Sequence, residues 1–312
     1  MANRTRFILP LFLIFLTIGF SCGQPSMESY RHAAVIERIN DLMVSYYVFP
    51  EIAIQTATHL SNQLEAGEFE QISSMQELAD KLTREVQSVN HDKHMRIMPR
   101  NRHSSGSTRP EPPDNGGFNE YEILDGNIGY IDMRGFYRMR DGAPAADRIM
   151  KILVGTDAII IDLRRNGGGS PEMVQYLCSY FFDEKIHLNS LYWRQGDRLQ
   201  EFWTLDKVSG KKRPDVPLYI LTSGYTFSGA EEFCYNMKTR NRATLIGEVT
   251  GGGANPGDVM TINSELEIFI PTGRAINPVT QTNWEGTGVM PDVEVDADEA
   301  LETALEIIQG KD

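Results

Sequence analysis

A serine stands where an apolar, strand-like run leads into a helical pattern. The run covers residues 218–222, and Ser228 opens the helical pattern over residues 228–238. At the first turn of a helix, unpaired N–H groups and the positive end of the helix dipole favour an alkoxide or an oxyanion. Serine is also a common N-cap at this position. Ser228 is therefore either an acyl-transfer nucleophile, which needs a neighbouring base, or a helix cap.

Three consecutive glycines follow a second apolar run, at residues 158–163. They end the segment Asp162-Leu163-Arg164-Arg165-Asn166-Gly167-Gly168-Gly169 and precede a helical pattern at 171–182. Ligand sites of open α/β sheets form at such strand ends, and glycine lets backbone N–H groups approach a negative atom closely. The segment lacks the lysine and the spacing of a nucleotide-binding loop. An oxyanion-binding turn and a plain tight turn both remain open.

The candidate bases are histidines, and two of the six are clustered. His91 and His94 lie in His91-Asp92-Lys93-His94, where an N-terminal helical region ends. Histidine titrates near neutral pH and therefore suits a general base. Such a pair can bind a metal adventitiously, but no further Cys or His lies at ligand spacing in the sequence. We therefore expect no dedicated metal site and no cofactor.

Two kinds of sequence must position these residues. Residues 28–89 repeat apolar side chains at helical spacing, and Ser74 with Glu77 forms a capping box that opens the last helix. Residues 101–117 are rich in Ser, Pro, Gly and charge, as in a linker. Beyond them, short apolar runs alternate with helical patterns. The runs at 218–222 and 243–247 flank the helix at 228–238, which predicts a βαβ crossover and a partly parallel sheet.

The composition excludes several functions. The 312 residues are 41% hydrophobic and 23% charged, which is typical of a globular chain of about two domains. Lys and Arg total 30 against 43 Asp and Glu, for a net charge of -13, and no basic cluster occurs. A nucleic-acid partner is therefore not expected. Cys178 and Cys234 have apolar neighbours, which predicts buried thiols.

Residues 1–21 contain a basic, an apolar and a small-residue region in the order that is typical of a secretory signal. Arg4 and Arg6 precede an apolar run at 7–20, which is shorter than the about 20 residues that a spanning helix needs. Cys22, after the small Ser21, resembles the lipobox of bacterial lipoproteins, in which the cysteine is acylated and becomes the mature N-terminus. This implies a periplasmic or surface lipoprotein whose membrane contact is the lipid alone, since an anionic chain gains nothing from a membrane surface.

Four co-ordered motifs resemble the tail-specific, or C-terminal processing, serine proteases. They are Asp162-Leu163-Arg164 with the glycine triplet, Ser228-Gly229-Ala230-Glu231, Ala243-Thr244-Leu245-Ile246-Gly247-Glu248 and Gly288-Val289-Met290-Pro291-Asp292. The resemblance implies an α/β fold of the ClpP/crotonase-like type, with an N-terminal helical domain (22–98) docked on a mixed, partly parallel sheet core (118–312). Only a linker (99–117) lies where the family usually carries a PDZ domain, so we expect no PDZ domain.

The best-known members pair the serine with a lysine 25 residues later, and that position here is Gly253. The chain is closer to the branch of the tricorn core protease, the nisin-resistance proteases and the repeats of interphotoreceptor retinoid-binding protein. There a histidine replaces the lysine, which implies His94 as base. A glutamate before the last motif implies Glu285, for which an exposed turn carboxylate is the other interpretation. Lys93 stands where tricorn has a relay serine, and Asp92 is a candidate substitute for orienting the histidine.

The implied chemistry is acyl transfer at a peptide bond. His94 would accept the Ser228 proton, and the N–H of Gly229 with one from Gly168 or Gly169 would hold the oxyanion. The resemblance thus predicts an exported, lipid-anchored serine peptidase that acts on a peptide or protein substrate. The retinoid-binding repeats keep much of the same motif skeleton. A non-catalytic binder of a hydrophobic ligand therefore stays open, as does an esterase on the same site.

Overall fold

The computed structural model describes residues 27–100 and 115–310 of the chain. The predicted signal, Cys22 and most of the predicted linker lie outside these residues. Among the described residues, no helix is both long enough and apolar enough to cross a bilayer. The helices are α1 (Met27–Tyr46), α2 (Pro50–Glu65), α3 (Met75–Asn90), α4 (Met139–Ile152), α5 (Pro171–Cys178), α6 (Gly229–Thr239) and α7 (Ala300–Gln309). The strands are β1 (Arg96–Pro99), β2 (Phe118–Leu124), β3 (Ile128–Met133), β4 (Ala158–Asp162), β5 (His187–Trp193), β6 (Arg198–Trp203), β7 (Leu218–Thr222), β8 (Thr244–Gly247), β9 (Gly257–Thr261), β10 (Leu266–Pro271), β11 (Gly273–Ile276) and β12 (Val293–Glu294).

The central sheet has the strand order β12-β8-β7-β4-β3-β2. Strands β3, β4, β7, β8 and β12 run parallel, and β2 pairs antiparallel with β3 at one edge. The predicted crossover is confirmed, because β7 pairs parallel with β8 and α6 connects them. The carboxyl ends of β4 and β7 open on the same edge of the sheet. The glycine turn and Ser228 follow these two strand ends.

Alternate residues of β4 pack into different cores. Ile159 and Ile161 belong to a large core formed with α4, α5 and α6, whereas Ile160 belongs to a smaller core formed with α7. All of β4 is buried. A strand buried on both faces is mostly apolar, which explains the continuous apolar sequence of residues 158–161. Cys178 and Cys234 are buried free thiols of the large core, as predicted.

The N-terminal helices share a separate core with a second sheet. This sheet is antiparallel, with the order β1-β10-β9, and its apolar residues pack with those of α1, α2 and α3. In α3, Leu78, Leu82 and Val86 recur at helical spacing and are buried. The core of the helical region therefore includes strands near residue 260, far along the chain. A third antiparallel sheet has the order β11-β5-β6.

Helix α3 begins and ends where the sequence marks it. The hydroxyl of Ser74 accepts the N–H of Glu77 at 3.2 Å, which is the N-cap bond of the predicted capping box. The helix ends at Asn90 and is capped by His91, whose φ of 55° is left-handed. The chain then turns into β1, which pairs with β10, Arg96 opposite Phe269. This pairing docks the helical region beside the sheet core and carries residues 92–95 with it.

Candidate active site

Ser228 lies at a sharp turn between β7 and α6. Its backbone has φ 55° and ψ −121°, a combination that non-glycine residues rarely adopt. Such strain persists only where neighbouring contacts hold it, and it clusters at functional sites. The turn makes Ser228 the N-cap of α6, ahead of the N–H groups of the first helical turn. From this position Ser228 can act as a helix N-cap and as a nucleophile.

The carboxylate of Glu231 holds this turn. Glu231 is fully buried. Its Oε2 accepts the N–H of Ser228 at 2.8 Å and of Gly253 at 2.9 Å, and its Oε1 accepts the hydroxyl of Thr250 at 2.5 Å and the N–H of Gly252 at 2.6 Å. Four donors offset much of the cost of burying a carboxylate. The motifs and spacing predicted no role for Glu231 in the site, although the Ser-x-x-Glu spacing is itself a capping-box signal.

The glycine turn packs directly against Ser228. Gly168 and Gly169 have φ of 100° and 143°, which L side chains rarely adopt. A Cβ added to Gly168 would lie 2.8 Å from Cβ of Ser228 and 2.7 Å from the amide nitrogen of Gly229. No larger residue fits at position 168 without moving the turn that carries Ser228.

The amides of Gly169 and Gly229 are the free donors beside Ser228. A Cβ added to Gly229 would lie 3.0 Å from the nitrogen of Gly169, so the two turns are in contact. Within the described residues, neither amide N–H has a hydrogen-bond partner. The N–H of Gly168 is engaged, because it donates to Oδ1 of the buried Asn166 at 2.9 Å. Asn166 also donates to the carbonyl of Met133 at 2.9 Å and thereby shapes the turn.

A charged pair anchors the start of the glycine turn. Arg164 and Asp162 form a two-pronged ion pair, with Nε to Oδ1 at 3.0 Å and Nη2 to Oδ2 at 2.6 Å. The hydroxyl of Tyr130 donates to Asp162 at 2.8 Å. The hydroxyl of Ser223 donates to the carbonyl of Arg164 at 2.6 Å. The Asp-Leu-Arg motif therefore ties the glycine turn to the loop that leads to Ser228.

His94 lies between α3 and β1, and its ring packs beside the residue that precedes Ser228. The ring centroid is 4.6 Å from that of Phe227 and 5.7 Å from that of Phe269. Within the described residues, no hydrogen bond joins the His94 ring to Ser228, and Nδ1 of His94 is buried without a partner. The fold thus packs the His94 ring against Phe227, the residue before Ser228, although the two segments are far apart in sequence.

His94 forms a cluster with Asp92 and Glu285. One ligand atom from each residue lies within 4.8 Å of the others. Asp92 is buried, and its Oδ2 accepts the hydroxyl of Tyr47 at 3.3 Å and the side-chain amide of Asn255 at 2.9 Å. Its Oδ1 accepts the backbone N–H of His94 at 3.1 Å. Asp92 is therefore fully engaged and positions the backbone of His94.

Glu285 is only partly engaged. Its Oε2 accepts the N–H of Ala254 at 2.6 Å and of Asn255 at 3.2 Å, whereas its Oε1 is buried without a partner. The side chain is half-buried within the cluster. Oε1 of Glu285 and Nδ1 of His94 are both buried without a partner, so each is available to bind a proton or a ligand. Among the described residues, this cluster is also the one group of His and carboxylates spaced closely enough to hold a metal ion.

Burial controls the protonation of the cluster. Burial, and to a lesser extent the charge of Arg96, lowers the pKa of His94 to about 4, so the ring is neutral at neutral pH. Burial and then the neighbouring Asp92 raise the pKa of Glu285 to about 7. Burial also raises the pKa of Asp92. A neutral imidazole is the form that accepts a proton from a nucleophile.

The ammonium of Lys93 contacts a backbone carbonyl instead of the carboxylates. Its ammonium donates to the carbonyl of Gly251 at 2.6 Å, and the residue is exposed. This bond joins the loop that carries His94 to the segment that follows β8. Lys93 is therefore a clamp between the two segments.

Two family models match this chain. Residues 127–295 match peptidase family S41, and residues 29–120 match the N-terminal domain of that family in eukaryotic IRBP. The first match alone covers more than half of the chain.

Bacterial processing proteases are similar in sequence. The carboxy-terminal-processing protease of Bartonella bacilliformis is 22% identical over 177 residues, which are 55% of this chain and 40% of that protein. The carboxyl-terminal-processing protease of Synechocystis is 26% identical over 168 residues, which are 50% of this chain and 38% of that protein. The chain thus spans well under half the length of these curated relatives.

Solved structures share the fold. A lipoprotein from Streptococcus agalactiae aligns with a TM-score of 0.58 at 17% identity, over 97% of this chain and 100% of that one. The photosystem II D1 C-terminal processing protease aligns with a TM-score of 0.56 at 13% identity, over 86% and 93%. These likenesses confirm the predicted fold class, a helical N-terminal region beside a mixed, partly parallel sheet.

Proposed function

The chain belongs to peptidase family S41, and on this basis we propose that it is a serine peptidase with Ser228 as nucleophile and His94 as general base. The observation that carries the proposal is the strained turn that holds Ser228 against the glycine turn, with the ring of His94 beside Phe227. A serine in such a turn, next to free amide donors and a neutral imidazole, has the groups that acyl transfer needs.

The first step forms the acyl-enzyme. The hydroxyl oxygen of Ser228 attacks the peptide carbonyl carbon while His94 takes the hydroxyl proton. The N–H groups of Gly229 and Gly169 hold the negative carbonyl oxygen, and each such donor is worth about 3 kcal/mol. The imidazolium of His94 then protonates the leaving amine as the carbon–nitrogen bond breaks. In the second step a water attacks the ester carbon while His94 takes its proton. The imidazolium then gives this proton to the Ser228 oxygen as the ester carbon–oxygen bond breaks, which releases the acid product and restores the free serine and neutral histidine.

Glu285 assists His94 as the base. Its unpaired Oε1 is available to the imidazolium that forms when His94 takes a proton, and it would stabilise that charge. The serine–histidine hydrogen bond must form when substrate binds. Catalytic hydrogen bonds are often long or misaligned without substrate and tighten in the Michaelis complex.

Covalent labelling tests the nucleophile. A fluorophosphonate should add once to the protein in intact-mass measurements, and Ser228→Ala should abolish the adduct. His94→Ala should reduce the labelling rate strongly. Ser170→Ala is a matched control, because Ser170 is also a helix N-cap but has an ordinary φ of −72°. An adduct that persists in Ser228→Ala, or its absence from the wild type while a control hydrolase is labelled, contradicts the proposal.

Two other activities share the same skeleton. The match of residues 29–120 to the IRBP domain keeps a non-catalytic binder of a hydrophobic ligand as the second candidate. An esterase on the same serine is the third. Labelling without peptide cleavage, but with ester hydrolysis, would identify the esterase. No labelling, together with saturable binding of a lipophilic fluorophore, would identify the binder.

We also propose that the protein is exported and anchored by a lipid on Cys22, at the periplasmic or outer surface of a bacterial envelope. The support is the signal-like order of residues 1–21 and the lipobox-like Ser21-Cys22. Labelled palmitate should enter the wild-type protein in cells and be absent from Cys22→Ala. Equal incorporation into both proteins would rule out Cys22 as the anchor. A peptide or protein is the substrate that this proposal implies.

A further inference from the structure

We propose that Gly253 is a positioning residue of the active site, because its missing side chain leaves the space that the rings of His94 and Phe227 occupy. The role assumes the peptidase function proposed above. A Cβ added to Gly253 would lie 2.5 Å from Cε2 of Phe227, closer still to Cζ, and 2.8 Å from Cε1 of His94. Real Cβ atoms essentially never come within 3.0 Å of such neighbours, so a side chain at this position must displace a ring.

Position 253 requires a glycine because there is no room for a side chain, and not because of its backbone conformation. The φ of Gly253 lies outside the left-handed region, unlike that of its neighbour Gly252 at 85°. An alanine could therefore adopt the same backbone angles without strain. What excludes it is contact with the two rings.

The backbone of Gly253 cannot move away to make room. Its N–H donates at 2.9 Å to Glu231, which also holds the N–H of Ser228. Its carbonyl accepts the indole N–H of Trp284 at 2.8 Å in a buried bond, next to Glu285 in sequence. Breaking either bond would leave a buried polar group unpaired, at a cost of about 1–3 kcal/mol. The rings must therefore yield first.

The segment 252–255 connects all the candidate catalytic groups. Gly253 contacts His94 directly and reaches Ser228 through Glu231. The next residue, Ala254, donates its N–H to Glu285. A lysine side chain at position 253, where other members of the resembled family carry their base, is sterically incompatible with His94 in its present place. The two kinds of base therefore exclude each other at this site.

Gly253→Ala tests the role, with Gly224→Ala as the matched control. Gly224 lies in the same approach to Ser228, but an added Cβ there would meet no atom closer than Oε2 of Glu248 at 3.7 Å. Gly253→Ala should lower kcat roughly 100-fold with little change in KM, since small misplacements of catalytic groups have effects of this size. Adding Phe227→Leu, which removes the Cζ and Cε atoms, should restore part of the activity.

The pH profile separates displacement of the base from general damage. The His94 ring faces Asp92 and Glu285, with Arg96 nearby, and burial keeps its pKa low. A displaced and better solvated ring would have a higher pKa. The acid limb of kcat/KM should therefore move to higher pH in Gly253→Ala and stay in place in Gly224→Ala. Damage that spares the base would lower the profile without moving the limb.

The outcomes distinguish this role from the peptidase function itself. Cleavage and labelling by Gly253→Ala within roughly twofold of an active wild type would overturn the role of Gly253 and leave the peptidase intact. A wild type that neither cleaves peptides nor takes the label would overturn the peptidase function. If circular dichroism shows Gly253→Ala unfolded, the Phe227→Leu/Gly253→Ala double variant is assayed instead. No recovery of folding or labelling there would also overturn the steric role.

Discussion

The two sides of the candidate site differ in how completely their buried polar side chains are paired. On the nucleophile side, which comprises the turn of Ser228 and the glycine turn, Glu231 accepts four hydrogen bonds and Asn166 uses both ends of its amide. On the base side, the cluster of Asp92, His94 and Glu285, two buried atoms have no partner. The nucleophile side therefore uses its hydrogen bonds to hold a strained shape. On the base side, the unpaired atoms remain available to bind a proton.

Similar substitutions on the two sides should therefore have different consequences. A lost hydrogen bond on the nucleophile side leaves buried donors unpaired and should appear mainly as lost stability. A change at His94 or Glu285 on the base side removes an atom that already lacks a partner, and it should appear mainly in the rate. Glu231 and Glu285 carry the same functional group and allow the two sides to be compared directly.

Glu231→Gln should have the largest effect on stability. An amide nitrogen in place of one oxygen cannot accept the two hydrogen bonds that meet there, so two buried donors lose their partner. At about 1–3 kcal/mol for each, the free energy of unfolding should fall by about 4 kcal/mol. Urea denaturation of the variant and the wild type measures the change. A loss under about 1 kcal/mol would contradict the role assigned to Glu231.

Glu285→Gln should lower the rate while sparing stability. The remaining carbonyl oxygen can still accept the N–H groups of Ala254 and Asn255, so the free energy of unfolding should stay within about 1 kcal/mol. The amide cannot stabilise an imidazolium, and kcat should fall by about 10- to 100-fold. Steady-state cleavage and urea denaturation on the same preparation provide both values. An unchanged kcat would remove Glu285 from the mechanism.

The dependence of stability on pH should identify the base side directly. The pKa of Glu285 is raised from 4.5 to about 7, so between these values the folded protein keeps a proton that the unfolded chain has lost. The contribution of Glu285 to the free energy of unfolding should therefore fall as pH rises from about 4.5 to about 7, and it should level off above that range. Glu285→Gln should lack this contribution. The lowered pKa of His94 acts in the opposite direction in both proteins, so the difference between them isolates Glu285. The buried Glu232, whose pKa burial also raises to about 7, contributes equally to both proteins and cancels in the difference. Equal slopes for the two proteins would contradict the shift at Glu285.

Lys93→Met should have the smallest effect. Its hydrogen bond to Gly251 is exposed, and exposed contacts of this kind contribute about 1 kcal/mol or less. The melting temperature should change by a few degrees at most, and kcat should remain within roughly threefold of the wild type. A larger loss of kcat with stability retained would show that the lysine acts on the cluster itself.

Local sequence predicted the elements of the fold well. The apolar runs at β4, β7 and β8 and the cap at Ser74 depend on residues close in the chain, and the structure confirms each. The parallel pairing of β7 and β8 followed from the helix between them. The resemblance also singled out Ser228, His94 and Glu285, and the structure groups His94 with Glu285 and packs the His94 ring against Phe227, which precedes Ser228.

Other residues of the site were not predictable from local patterns. Asp92 and Asn255 are hydrogen-bonded across 163 positions of sequence, and no periodicity reports such a contact. The local sequence indicates Glu231 only as part of a helix cap. Its hydrogen bonds to Gly252 and Gly253 form only when the segment after β8 packs against α6.

The sequence by itself determined the strands, the helix after Ser228, the glycine turn and the absence of a lysine at position 253. These follow from side-chain types and spacing, which act over a few residues. Only the tertiary structure decided which amides are free for an oxyanion, which carboxylate is saturated and why position 253 must lack a side chain. Burial, unpaired atoms and steric exclusion are properties of packed neighbours, and here those neighbours come from distant parts of the chain.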